Sequence, residues 1–493
     1  MGEMVELNGR AVSDPIAVRQ RLDDSIVALD RMLADGMFAS EANTCGLEVE
    51  LDLVDPLGRP RLVNDPVLAA MDRRDFQPEL GRFNLELNAM PRPVGGLVLR
   101  HLDAELDATI AAASAVALPW GARVVSVGLL PTLHAEDMTA DCFSANPRYP
   151  LLDAVMAASR QHTIRFSIVG TERLEVETET IGVQAAATSL QVHLRTAPQD
   201  FARFYNAAQA AAPAQLAAGS NSPYLLGRRL WHETRIPLLE QALDIRPAGA
   251  TDADHPPRAW FGDRWARGPS DVLADNVQRY PSLLPVLDAE DPLVEVAAGR
   301  VPALHELRLH NGTVWRWNRP VYDVQHGYPH LRVENRVLPS GPTAVDMIAN
   351  VAFFLGLVRG LADQDPPVCD RVDFPDVADD LHRAARLGLA AELHHVDAAH
   401  SGTANARTVI LDSLLPLAAE GLDAWGIDPA DRDHYLGVIE GRVRTGRTGS
   451  EWQTAHVVTL QARSAGREGA LREMVRRYVE HARTGEPVHT WPV

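Results

Sequence analysis

A chain of 493 residues, 46% hydrophobic and 23% charged, has the composition of a soluble globular protein with one large domain and a smaller one. Its net charge of −19 excludes general binding to nucleic acid or anionic membranes, which needs basic patches. All 47 basic residues are arginine, which excludes a P-loop lysine, a kinase lysine and a Schiff-base lysine. Any phosphate here must be met by arginine and metal.

The first ten residues, MGEMVELNGR, are acidic and lack an apolar segment, so no signal peptide is expected. Pro15 and apolar residues at helical spacing predict a capped helix over 13–38. GLEVELDLVD (46–55) alternates strictly: as a strand it places Leu47, Val49, Leu51 and Leu53 on one face and Glu48, Glu50 and Asp52 on the other. A short helix follows at 64–74, a strand at 82–88, a long helix at 96–118 and a strand at 123–131. Alternation returns over 173–195, ending in SLQVHLRT, before a helix at 200–220 and a turn at Asn221-Ser222-Pro223. Residues 246–300 read as a long irregular excursion, and WFGDRWARGPSD (260–271) within it is a candidate flap. Residues 303–323 read as a hairpin turning at Asn311–Gly312. That reading sets Trp315 and Trp317 on one side and Arg316 on the other, a candidate nucleotide or substrate wall. After a strand and Pro/Gly stop at 329–343, the chain reads as mainly helical to its end. The apolar windows at 108–120 and 347–362 are expected as buried helices. Cys45, Cys142 and Cys369 form no CxxC, which predicts neither a disulfide framework nor a zinc knuckle and suits a cytoplasmic protein. LHHVD (393–397) reads as helical surface, and the arginines of RVRTGRTGSEWQ (442–453) as either a phosphate contact or a solvated turn.

Parallel strands buried on both faces read as continuous aliphatic runs, and these alternate instead. The expected fold class is therefore α+β, a mainly antiparallel sheet with helices on one face and a polar, open second face. Residues 1–362 are expected to form the catalytic sheet-and-helix part and 363–493 a helical C-terminal region.

Four strands share that polar face. They contribute Glu48, Glu50 and Asp52; Arg82, Asn84, Glu86 and Asn88; Gln191, His193 and Arg195; and Arg332, Glu334 and Arg336. Two bare carboxylates ~5 Å apart repel by roughly 3 kcal/mol at an effective dielectric of about 20. Converging acids of this kind need a cation, and an oxygen-rich set with one imidazole suits Mg²⁺ or Mn²⁺ better than zinc. The arginines flanking Glu334 add what a polyphosphate needs, since Mg²⁺ bridges phosphate oxygens and arginine stabilises a transferred phosphoryl group.

Five segments carry a family resemblance: GLEVE (46–50), PELGRFNLELN (78–88), LQVHL (190–194), NSPYLLGRRLWHETR (221–235) and LRVENRVLPSGPT (331–343). In this order the chain resembles the glutamate–cysteine ligase family, within the carboxylate–amine ligases. The resemblance implies a curved, glutamine-synthetase-like catalytic sheet, ATP, and two or three Mg²⁺ ions. It implies that Glu48, His193 and Glu334 share one metal and that Glu50, Glu79 and Glu86 hold the rest. Arg336 looks like the family's phosphate-facing arginine and Arg235 like the one following the N-S-P motif, with Arg332 a third catalytic candidate. Asn221, Ser222 and Arg316 are candidates for nucleotide binding. The chain departs from many relatives at Val49, Asn84 and Gln191, where they carry Glu, Gln and His; the last two face the site and bear on amino-acid specificity. The implied reaction joins the γ-carboxylate of glutamate to the amine of cysteine through an acyl phosphate. The partners are small amino acids. A different amine acceptor and a metal-dependent guanidino kinase are the alternatives.

Overall fold

The computed structural model describes residues 14–38, 42–71, 73–160, 163–246, 257–463 and 466–493. The N-terminal decapeptide and residues 247–256 of the expected excursion lie outside the described residues.

Strand β1 (Thr44–Val54) sets the two sides of the molecule. Leu47, Val49, Leu51 and Leu53 are at most 1% exposed and face a helical layer. Six further strands extend the sheet: β2 (Phe76–Pro78), β3 (Asn84–Pro93), β4 (Arg123–Val125), β5 (Leu190–Thr196), β6 (Asn318–Gln325) and β7 (Tyr328–Asn335). Their order is β6–β7–β5–β1–β3–β2, with β4 also on β1, and every pairing is antiparallel. The sheet is antiparallel, as the alternating pattern predicts, and curls into a half-barrel, as the family resemblance implies. Register brings the acidic positions face to face: Glu50 lies opposite Glu86, and Glu334 lies opposite both His193 and Arg319.

The apolar face is covered by helices whose sequences dictate their depth. Asp14 accepts the Ile16 N–H at 3.0 Å and, with Pro15 behind it, starts α1 (Pro15–Ala34) as expected. In α2 (Val98–Ala117), Leu99, Leu102, Leu106 and Ala113 form one buried stripe at helical spacing. The alanine-rich α3 (Phe201–Gly219) and the almost wholly apolar α4 (Ala344–Asp363) are buried on nearly every side. Helix α4 is long and apolar enough to cross a membrane, but 94% of its apolar window is buried inside the protein, so it is a core helix. It crosses the helix Leu415–Ala424 at bare backbone, where a Cβ on Gly421 would run into Gly356 and Gly360. Gly421→Ala is therefore expected to lower stability by about 1–3 kcal/mol or more, measured as a fall in denaturant midpoint with unchanged slope.

Both buried clusters draw on both ends of the chain. One joins Leu51 and Val333 to Val377, Leu381 and Ile439, and the other joins Phe83 and Val125 to Trp452 and Tyr478.

Several local expectations are corrected. The strand at 123–131 stops at Val125, because β5 takes the rest of that edge of β1. No hairpin turns at Asn311–Gly312: His305–Asn311 is a helix. The hairpin joins β6 to β7 through His326–Gly327, whose positive φ values of 52° and 83° are those of a two-residue turn. The excursion holds helices at Pro269–Arg279 and Pro292–Ala297. Its candidate flap is pinned: Phe261 and Trp265 pack on Phe374, and Asn206 exchanges two hydrogen bonds with Ala266. LHHVD is not helical; it leaves strand β8 (Glu392–His394), which pairs with β9 (Thr403–Asn405). Arg442 of the basic segment is neither solvated nor near the cleft, being buried against Asp346 at 2.8 Å.

Candidate active site

The polar face of the curled sheet carries two carboxylate groups; Glu48, Glu50, Glu79 and Glu86 line the cleft above it, while His193 and Glu334 are buried and do not line it. In the first, β1, β5 and β7 bring Glu48, His193 and Glu334 together, so that one ligand atom from each lies within 4.8 Å of the others. His193 Nε2 is 3.0 Å from Glu48 Oε1, yet neither ring nitrogen has a hydrogen-bond partner among the described residues. Burial pushes the His193 pKa well below its ordinary value, so the ring is neutral with a lone pair to offer. Burial opposes ionisation of Glu334, but Arg319 and Arg336 outweigh it and hold that carboxyl well below the usual range. Arg319 grips Glu334 through Nε at 2.8 Å and Nη2 at 3.0 Å, and Arg336 donates to the same carboxylate. An orphaned neutral imidazole between two carboxylates suits a hard divalent cation.

The second group lies on β1, β3 and the turn between β2 and β3. Glu50 accepts the Ser189 N–H at 2.7 Å and the Gln191 amide at 2.9 Å, Glu86 accepts from Asn88 at 2.7 Å, and Glu79 accepts the Leu80 N–H at 3.0 Å. Burial, then Glu86 and Glu50, push the Glu79 carboxyl well above its ordinary value. Burial also raises Glu50, against the pull of Arg336 and with the push of Glu86. Two acids raised in this way, beside the third carboxylate of Glu86, make an oxygen-rich set that fits a dication. Asp52 lies further along the strand, fully buried, hydrogen-bonded by Asn84 at 2.7 Å and pushed well above its ordinary pKa by burial. It is a structural acid.

Arg336 sits between the two groups, donating to Gln191 Oε1 at 2.5 Å as well as to Glu334. Gln191 thereby links Glu50 to Arg336. Arg235 lines the cleft but is spent behind it, on Glu233 at 3.3 Å and on the carbonyls of Val337 and Arg336. Arg332 faces Arg195 across the sheet and is spent on Asp323 at 3.2 Å, with no contact to the carboxylate groups among the described residues. Arg316 lines the cleft with its guanidinium 4.8 Å from the centre of the Trp260 ring, yet it is held by Asp275 at 2.5 Å and Asn276 at 2.6 Å.

Asn221 and Ser222 are fully buried away from the cleft, which corrects their reading as nucleotide ligands. Asn221 donates to Ser340 O at 2.7 Å and Tyr478 Oη at 2.9 Å and accepts from Gln453 at 2.8 Å, tying the sheet to the C-terminal helices. Asn221→Ala should cost about 1–3 kcal/mol of stability for each buried partner left alone, read in a melting curve.

Arg319 is the residue that sequence reasoning missed. The sequence reads its span as the far strand of a hairpin turning at Asn311–Gly312, which hides its register opposite Glu334. Arg148, Tyr149 and Gln184 also line the cleft, from segments without sheet periodicity.

Residues 44–481 match the model of glutamate-cysteine ligase family 2. Among solved structures, the glutamate–cysteine ligase of Francisella tularensis in complex with AMP is similar, with TM-score 0.54 and 12% identity over 91% of this chain and 90% of that one. A bifunctional glutathione synthetase from Pasteurella multocida gives TM-score 0.49 and 10% identity over 93% of this chain and 55% of that one. The likeness to the first extends to the fold. No curated protein sequence matches. The family match spans the strands, the cleft and most of the C-terminal helices, and this chain belongs to glutamate-cysteine ligase family 2.

Proposed function

We propose that the chain is an ATP- and magnesium-dependent ligase that joins the γ-carboxylate of glutamate to the amine of cysteine in the cytoplasm. The observation that carries this reading is the pair of carboxylate groups on one floor with Arg336 between them. Glu48, His193 and Glu334 would hold one ion, and Glu50, Glu79 and Glu86 the other or others. Bound magnesium would neutralise the phosphates and orient the γ-phosphoryl group. A substrate carboxylate oxygen attacks the γ-phosphorus, and ADP leaves with the electrons of the broken P–O bond. The amine nitrogen then attacks the acyl carbon, phosphate departs with the C–O bond electrons, and the amine releases a proton.

The protein's own residues position and stabilise in this scheme. Arg336 meets charge on the transferred group, while Arg319 keeps Glu334 ionised and fixed in direction. No protein nucleophile is needed. The thiols of Cys45 and Cys142 agree, since burial pushes each up to about 12. Tyr149, held on Pro78 O at 3.1 Å, and Trp317, 4% exposed, would shield the acyl phosphate from water. The helical region 363–493 would support the floor from behind.

The test is a screen of amino-acid pairs for ADP formation, with mass spectrometry of the product. ADP should appear only with Mg²⁺, a carboxylate substrate and an amine together, and the product should be the glutamate–cysteine amide. An amide with another amine would change the acceptor and keep the chemistry. ADP with one guanidino compound and a stable phosphorylated product would replace the ligase reading with a kinase.

A further inference from the structure

His394 and His395 are neighbours in sequence but serve different partners. His394 ends β8 with Nδ1 3.1 Å from Asp380 Oδ2. His395 begins the loop to β9, where it meets Asp397 and His400. The π-helical turn Val409–Leu414 brings Ser413 against them from the far side. Ser413 Oγ lies 3.3 Å from His395 Nδ1 and 3.2 Å from His400 Nδ1. His395 Nδ1 is 3.6 Å from Asp397 Oδ2, and His400 Nδ1 is 2.8 Å from Asp397 Oδ1. Tetrahedral donors about 2.0–2.1 Å from a zinc ion stand ~3.3 Å apart. The separations of 3.2, 3.3 and 3.6 Å lie near that spacing, and the 2.8 Å from His400 Nδ1 to Asp397 Oδ1 is a hydrogen bond that an ion would replace.

Asp397 supplies an independent sign. It is 5% exposed; its Oδ1 accepts the N–H groups of Ala399 at 2.9 Å and His400 at 3.1 Å, which fixes the carboxylate in place. Its Oδ2 is buried with no hydrogen-bond partner among the described residues and lies on the His395 side of the cluster. Arg371, the neighbouring cation, is tied instead to Gln364 at 2.9 Å and Val396 O at 3.0 Å. His400 is about half exposed, which gives an ion a way in from solvent.

We propose that His395, Asp397 and His400, with Ser413 in fourth place, form a zinc-type site that pins the β8–β9 loop to the π-helical turn. Two imidazoles and one carboxylate select zinc, cobalt or nickel over magnesium. None of these residues lines the ligase cleft, so the site is separate from the magnesium floor and does not depend on the ligase reading.

Untagged full-length protein, stripped with a chelator and titrated with Co²⁺ in excess Mg²⁺, tests this. One Co²⁺ per chain should bind with the intense visible bands of a tetrahedral ion, be displaced by Zn²⁺, and raise the melting temperature. His400→Asn, at an exposed position that leaves the core untouched, should weaken Co²⁺ binding at least ~10–100-fold, the scale of losing even an outer partner. Glu48→Gln on the cleft floor should leave the bands intact. Absence of tetrahedral bands, their persistence in His400→Asn, or their loss in Glu48→Gln would each overturn the proposal and leave a hydrogen-bonded cluster only.

Discussion

Glu334→Gln should remove both activity and stability. Glu334 has no exposed surface and carries Arg319 and Arg336 on its two oxygens. A glutamine there leaves the buried Arg319 and the partly exposed Arg336 without their counter-charge. Breaking a buried pair in this way costs about 3–5 kcal/mol, far more than the net worth of the pair, because an uncompensated charge stays behind. Turnover should fall by at least ~100-fold, since the change also withdraws a proposed metal ligand. The pH dependence follows from the depressed carboxyl. A group whose folded pKa is lowered contributes stability above its ordinary value and loses it as pH falls through the folded value. The wild type should therefore lose its margin over Glu334→Gln below the ordinary carboxylate pKa of about 4.3. A variant as stable as wild type at neutral pH would remove the two-arginine clamp from this account.

Much of that site was legible in the sequence, for one reason: period-two alternation. Leu47, Val49, Leu51 and Leu53 against Glu48, Glu50 and Asp52 identify both the buried face and the acidic one before any coordinates, and the same logic holds for His193 and Glu334. Antiparallel pairing then follows from the absence of continuous aliphatic runs. Register does not follow. Nothing in the pattern says that Arg319 lies opposite Glu334, and Asn311–Gly312 was the stronger local turn signal although His326–Gly327 makes the hairpin. Arg332 shows the complementary limit. It shares a face with Glu334, but two residues along a strand is nearly 7 Å, enough to carry it to Asp323. The buried Asn221 network was hidden because its partners, Ser340, Gln453 and Tyr478, lie 119 to 257 positions away. Such a motif reads equally well as a ligand loop or as a structural staple.

Glu79→Gln should do the opposite of Glu334→Gln to stability and the same to activity. Glu79 carries no arginine clamp; burial and the neighbouring Glu86 and Glu50 push its carboxyl well above the ordinary range. A raised folded pKa means that folding favours the protonated form. In metal-free protein, stability is therefore highest below the ordinary carboxylate value and falls as pH rises toward the folded one. Glutamine keeps the size and hydrogen-bonding capacity of the protonated acid and never ionises, so the variant escapes that fall. Its unfolding free energy in chelator should match wild type near pH 4 and exceed it increasingly above, by about 1.4 kcal/mol for each unit by which the acid is raised, with the melting temperature moving the same way. Added Mg²⁺ should reverse the order, stabilising wild type in proportion to its binding and the variant much less. Turnover should again drop at least ~100-fold. This is the thermodynamic signature of a binding site kept at the expense of the empty fold, because like charges are crowded where only a cation makes them favourable. Equal melting temperatures for the two proteins across pH, with and without Mg²⁺, would mean that Glu79 neither repels its neighbours nor shares an ion with them.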